Sequence, residues 1–175
     1  MLKQLFKIQR VGIVTEPLAR DEAFELTGDA TRRAIARRFG GSLAIRQVDA
    51  GSCNGCELEI HALNNAYHDC ERFGIHFVAS PRHADLLLVT GPVSRHMETA
   101  LLRTFDAMAE PRLVLAAGAC AADGGEFGVS YASCGAVANV LPVDGVIHGC
   151  PPTPLALLNG VLALIDDRSR TALSG

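Results

Sequence analysis

Three short apolar runs in this chain each end in a glycine-bearing turn and then a cysteine. Leu43-Ala-Ile-Arg-Gln-Val48 leads to Cys53 and Cys56, Leu113-Val-Leu-Ala-Ala117 to Cys120, and Val143-Asp-Gly-Val-Ile147 to Cys150. Two further runs, Gly74-Ile-His-Phe-Val78 and Asp85-Leu-Leu-Leu-Val-Thr90, lie between them. The Asp85 run is continuously apolar, as a strand covered on both faces must be. Helical patterns separate the runs. Positions 56, 60, 63, 67 and 70 repeat at helical spacing and predict a helix over 54–69; Met97, Leu101, Leu102, Phe105 and Met108 form a second stripe after a Ser94 cap. Pro111 should stop that helix, and Thr153-Pro154 should start a last one running to about Leu164. Strands alternating with helices predict an α/β fold with a doubly wound parallel sheet. In such sheets the functional site lies beyond the C-terminal strand ends, so the three cysteine-bearing turns should meet on one side.

Residues 1–42 read differently. Leu2, Leu5, Phe6 and Ile8 fit one amphipathic turn, Val11-Gly-Ile-Val14 a short extended piece closed by Glu16-Pro17, and 18–28 a loop with turn signals at Gly28-Asp29. Asp29 or Thr31 can cap a helix reaching Arg38, which Gly40-Gly41 ends. Without a core-forming pattern of its own, 1–42 is expected to be an N-terminal docking extension. It precedes a single domain over 43–167 and a tail over 168–175.

Charge and hydropathy narrow the class. The 175 residues suit one domain with a real core, and the net charge is −3. Residues 1–48 carry nine Lys or Arg against five Asp or Glu, so a basic leader precedes an acidic body. That asymmetry is compatible with docking, and equally with a solvated Arg-rich helix. An acidic chain without aromatics interleaved among basic residues is not expected to bind nucleic acid. No apolar run is long enough to cross a bilayer, and Met1-Leu-Lys-Gln-Leu-Phe-Lys7 lacks the pattern of an export signal. The expected location is the cytoplasm or the cytoplasmic side of a membrane complex, where six cysteines argue for thiolate chemistry rather than disulfides.

Four thiolates converging at the strand ends of one sheet can hold a four-iron cluster. Helix N–H groups near Cys56 and Cys150 favour negative charge, Pro151 and Pro152 stiffen the last loop, and Gly51, Gly55, Gly118 and Gly149 allow close approach of the backbone. Other readings stay open at this point. Structural zinc uses Cys-x-x-Cys, usually in two pairs close in sequence, whereas here the third and fourth thiols are single and distant. A redox dithiol also begins a helix with this motif, but leaves Cys120 and Cys150 without a role. Cys70 falls on an apolar stripe and reads as core; Cys134 is open between a core position and a substitute ligand. Asn54 and Glu57 have the spacing of a capping box. Arg82 and His83 read as loop residues or as part of a partner-facing surface, and His148 as a loop histidine or a tuner of the cluster.

Taken together, Gly51-Ser-Cys-Asn-Gly-Cys-Glu57, Ser80-Pro-Arg-His-Ala-Asp85, Gly118-Ala-Cys120 and Gly149-Cys-Pro-Pro-Thr-Pro154 resemble the small subunit of energy-converting nickel–iron hydrogenases, of the formate hydrogenlyase and hydrogenase-4 type. This group is similar to the subunit of complex I (NADH-quinone oxidoreductase) that carries its last cluster before quinone. The resemblance covers about residues 43–165 and implies a flavodoxin-like fold with one [4Fe-4S] cluster, ligated by Cys53, Cys56, Cys120 and Cys150. It implies an electron-relay role beside the catalytic site of a large-subunit partner, with ferredoxin-like iron–sulfur and membrane subunits in the same complex. Such a subunit sits peripherally on the cytoplasmic face of the inner membrane. It also implies that Glu57 lies near a proton route. The complex I subunits have two adjacent cysteines at the first motif, where this chain has Cys-x-x-Cys as hydrogenases do. That difference favours the hydrogenase branch, with a quinone-reducing, complex I-like subunit as the alternative.

Overall fold

The sheet forms where the sequence is most continuously apolar. The protein is described by a computed structural model over residues 2–12 and 19–166. In chain order the elements are α1 (Leu2–Val11), α2 (Glu22–Phe39), β1 (Leu43–Asp49), α3 (Gly55–Leu63), β2 (Ile75–Phe77), β3 (Leu86–Thr90) and β4 (Val93–Ser94). They continue with α4 (Arg95–Asp106), β5 (Leu113–Ala117), α5 (Ala119–Asp123), β6 (Ser133–Gly135), β7 (Gly145–Ile147) and α6 (Pro154–Ile165). Five strands pair in parallel in the order β2-β1-β3-β5-β7. Counting only these strands, that is the flavodoxin-like order, with its switch point between β1 and β3. The expected doubly wound α/β sheet is present.

Side chains alternate across the sheet into two cores. Leu43, Ile45, Leu86, Leu88, Leu113 and Leu115 face one side, with α2, α3 and α6 supplying Ile35, Ile60 and Leu158. Val48, Leu87, Val89, Val114 and Ala116 face the other, against Leu101 of α4, Ala121 of α5 and Val137. Two acids close the lower edge: Asp85 accepts from the Ala44 N–H and Asp144 from the Val114 N–H, both at 2.9 Å. The Ser94 and Thr153 caps form as the sequence predicts, their hydroxyls accepting from the N–H of Met97 and Ala156.

Several boundaries differ from those the sequence predicts. α2 begins at Glu22, capped by Asp21, whose carboxylate accepts from the N–H of Ala23 and Phe24. The turn signal at Gly28-Asp29 misleads because Gly28 is a contact residue: a Cβ there would overlap the buried Phe73 ring. α2 buries Phe24, Gly28, Thr31, Ala34 and Ile35. Glu25 receives two hydrogen bonds from Arg72, at 2.6 and 2.8 Å, which hold its carboxyl below the ordinary value. The extension expected over 1–42 is thereby divided. α2 shares a core with the sheet, whereas α1 buries no residue. Val11 ends α1 instead of opening an extended piece; Ile13, Val14, Glu16 and Pro17, like the tail over 168–175, lie outside the described residues.

α3 stops at Leu63, short of the expected 69, and Cys70 is buried in a separate 3₁₀ turn (Cys70–Phe73) where its thiol donates to Asn64 at 3.2 Å. α4 ends at Asp106, ahead of Pro111. The antiparallel pair β4–β6, which contains Cys134, has no counterpart among the predicted elements.

Replacing Gly28 with Ala should destabilise the domain by about 1–3 kcal/mol, the usual cost of forcing atoms into a filled core. Denaturant unfolding of the two proteins side by side measures it.

Candidate metal centre

The parallel sheet carries three loops to one edge. The β1–α3 loop brings Cys53, and Cys56 follows in the first turn of α3; the β5–α5 junction brings Cys120, and the β7–α6 loop brings Cys150. All four line one cavity of about 150 Å³, together with Gly55, Ala119, Gly149 and Pro151. Cys53 and Cys150 are exposed at its mouth, while Cys56 and Cys120 are half-buried. The structure thus brings together the four thiols expected to converge.

Burial pushes the Cys56 thiol up to about 11, with further contributions from Glu57 and from the other three thiols. Cys120 is raised too, first by burial and then by Cys150, Cys53 and Asp123. Burial and the neighbouring groups thus favour the neutral thiol at Cys56 and Cys120, and a bound cation would offset that preference. Among the described residues, no three His, Cys, Asp or Glu side chains close on a point where a single ion would sit. A tetrahedral zinc would need its sulfurs about 2.3 Å from one point, whereas thiols lining a cavity are a donor set that can also hold an extended iron–sulfur core.

Close approach of the backbone is decisive at two glycines. Gly118, at φ +93°, lies so near Cys56 that a Cβ would stand 2.6 Å from its sulfur. Gly91, at φ +75°, follows β3 and lies against the Ser52 backbone, where a Cβ would overlap it. The first is among the glycines expected from the sequence to admit the backbone; the second is not.

Glu57 holds the first loop in place. Only 6% exposed, it accepts hydrogen bonds from the Ser52 hydroxyl at 2.6 Å and from the hydroxyl of the buried Thr90. The Ser52 oxygen in turn accepts from the Asn54 N–H, and Asp49 accepts from the N–H of Gly51 and Ser52. The capping box expected between Asn54 and Glu57 does not form: Asn54 sits at φ +71° with no side-chain cap bond, its N–H goes to Ser52, and the Glu57 carboxylate is engaged by Ser52 and Thr90. Thr90 is the signal in the sequence that could have revealed this network. It is the one hydroxyl in an otherwise apolar strand, at a fully buried position.

The remaining candidates lie apart. Arg82 and His83 are exposed on a 3₁₀ turn leading to Asp85, at the start of β3, and line no part of the cavity. His148 is exposed beside it without lining it. Cys134 is buried in β6, its thiol 3.3 Å from the Glu98 carboxylate, and does not line the cavity either. Glu57→Leu would remove the acceptor of the part-buried Ser52 hydroxyl and leave the buried Thr90 hydroxyl only the Val48 carbonyl at 3.4 Å, and should cost about 1–3 kcal/mol. Glu57→Gln, which keeps an acceptor, should cost less; chemical unfolding of both variants measures the difference.

Residues 53–164 match the family model described as NADH ubiquinone oxidoreductase, 20 Kd subunit. Formate hydrogenlyase subunit 7 of Escherichia coli is 41% identical over 144 residues, covering 82% of this chain and 55% of that protein. The chain therefore spans about half the length of this relative. A probable membrane-bound hydrogenase subunit of Pyrococcus furiosus is 37% identical over 148 residues, covering 81% of this chain and 89% of the relative. Among solved structures, a chain of the archaeal membrane-bound sulfane sulfur reductase superposes with a TM-score of 0.66 at 33% identity, covering 80% of this chain and 76% of that one. A chain of an NAD+-reducing [NiFe]-hydrogenase has the same fold, with a TM-score of 0.56 at 18% identity over 71% of this chain and 91% of its own. The chain is thus a member of the family of the 20 kDa subunit of NADH ubiquinone oxidoreductase.

Proposed function

We propose that this chain is the electron-transfer subunit of a membrane-associated nickel–iron hydrogenase complex of the formate hydrogenlyase type. In this reading it carries one [4Fe-4S] cluster beside the catalytic site of a large-subunit partner. The observation that carries the proposal is the convergence of Cys53, Cys56, Cys120 and Cys150, from three separate strand ends, on one cavity. These four residues are the proposed ligands. A bound cluster would supply one-electron transfer; the chain supplies its position and surroundings. Gly118 and Pro151 bring backbone and ring close to the sulfurs, limiting the water that reaches the inner pair. The exposed Cys53 and Cys150 leave the mouth open toward a partner.

The large subunit is proposed to cover that mouth and the segment next to it. The loop after α5 packs Gly125 against Cys120 and continues into Phe127, Val129 and Tyr131, with Tyr131 99% exposed. Exposed aromatics beside a functional opening are characteristic of a contact surface. A ferredoxin-like subunit is the proposed exchange partner for electrons, and membrane subunits are proposed to hold the assembly on the cytoplasmic face. No helix among the described residues is long and apolar enough to cross a membrane. Glu57, bridged by hydroxyls to Ser52 and Thr90, is proposed to serve a proton route as well as to fix its loop. The second reading, a complex I-like subunit passing electrons to quinone, is favoured by a relative from Desulfovibrio desulfuricans that is named as a subunit of NADH-quinone oxidoreductase. That protein is 50% identical over 109 residues, covering 62% of this chain and 59% of its own.

Anaerobically purified protein should contain about four irons and four sulfides per chain and give a reduced-cluster EPR signal. Cys120→Ser should lose that signal, whereas Cys70→Ser should keep it. One zinc without sulfide would replace the relay with a structural metal. Nickel in the co-purifying large subunit selects the hydrogenase reading, and its absence the quinone reading. Tyr131→Asp should reduce recovery of the large subunit in affinity purification without altering iron content.

A further inference from the structure

α1 is an amphipathic helix that nothing among the described residues buries. Leu2, Leu5 and Phe6 share one arc of its surface, Ile8 extends that arc, and Gln9 falls within it in the last turn. Leu2, Leu5, Phe6 and Ile8 are each 60–70% exposed, and no residue of the helix is buried. Lys3, Lys7 and Arg10 share the adjoining arc. Among the described residues none of these three forms an ion pair, and the first acidic residue of the sequence is Glu16. An apolar arc of this kind in water exposes surface that burial would favour, and the core of the domain does not use it.

We propose that α1 lies in the surface of an anionic bilayer, its Leu2–Leu5–Phe6 arc in the acyl boundary and its cations among the lipid phosphates. The charge pattern selects this occupant. A helix with one apolar arc and one wholly basic arc matches the layering of an anionic lipid surface, and long basic side chains can reach the headgroups while their stems stay on apolar ground. The proposal gives the chain a lipid contact of its own, beyond any association through partner subunits, and does not depend on the cluster.

Flotation of the full chain with vesicles tests it. The protein should float with phosphatidylcholine vesicles containing phosphatidylglycerol, not with phosphatidylcholine alone, and added salt should release it. Leu5→Asp and Phe6→Asp should each lower the bound fraction about tenfold or more, and Lys3→Glu with Lys7→Glu should do likewise. All four substitutions should leave the unfolding midpoint and iron content unchanged, because α1 contributes nothing to the core. Absence of flotation with anionic vesicles would overturn the proposal and assign the face to a protein subunit. Undiminished flotation of the aspartate variants would overturn it by placing lipid contact elsewhere. Loss of the cluster reading would leave this result untouched.

Discussion

Four thiols from three strand ends line one small cavity, where burial and the neighbouring sulfurs disfavour ionising the inner pair, Cys56 and Cys120. The rest of the structure is arranged to hold the four in place. The four sulfurs arrive from three loops far apart in sequence, so no local segment can bring the Cys53–Cys56 pair to Cys120 and Cys150. The parallel sheet does so. Its strands end together, and the turns leaving β1, β5 and β7 have nowhere to go but the same edge. The backbone is then brought within contact distance of sulfur at Gly118, where a methyl group would push Cys56 out of line.

The Cys53 loop has the least intrinsic support. It leaves β1 through a polar, glycine-containing segment, and its order comes from Asp49, Ser52 and Glu57 binding one another and its backbone. Thr90 ties this network to the central strand β3. A buried carboxylate with both oxygens occupied is stiff, because moving it would break two hydroxyl hydrogen bonds at once. The same bridge that immobilises the loop joins a buried hydroxyl to a part-buried one.

Legibility follows physical scale. The sheet strands are visible in the sequence because Leu86–Thr90 and Leu113–Ala117 are apolar throughout, and burial on both faces demands that. The four cysteines are visible because each stands directly after such a run or in the turn that follows it. The start of α2 is hidden because Gly28 resembles a turn residue, and only the Phe73 ring, 45 positions away, explains why a side chain is excluded there. β4, β6 and α5 are two, three and five residues long, below the length at which periodicity exists. The role of Glu57 is half legible. Its spacing from Asn54 suggests a cap, but the partners it takes depend on where β3 ends.

α2 and α6 lie against one another, and α6 begins four residues after Cys150. The helix that the charge pattern presents as a leader is therefore the outer wall of the core behind the last cysteine loop. A chain trimmed to begin at Leu43 would retain every thiol and every strand, yet uncover Phe73 and the α2-facing side of α6. Such an open apolar surface invites self-association. The minimal unit that can be produced and handled begins before Asp21, and the economy suggested by the position of the motifs is a false one.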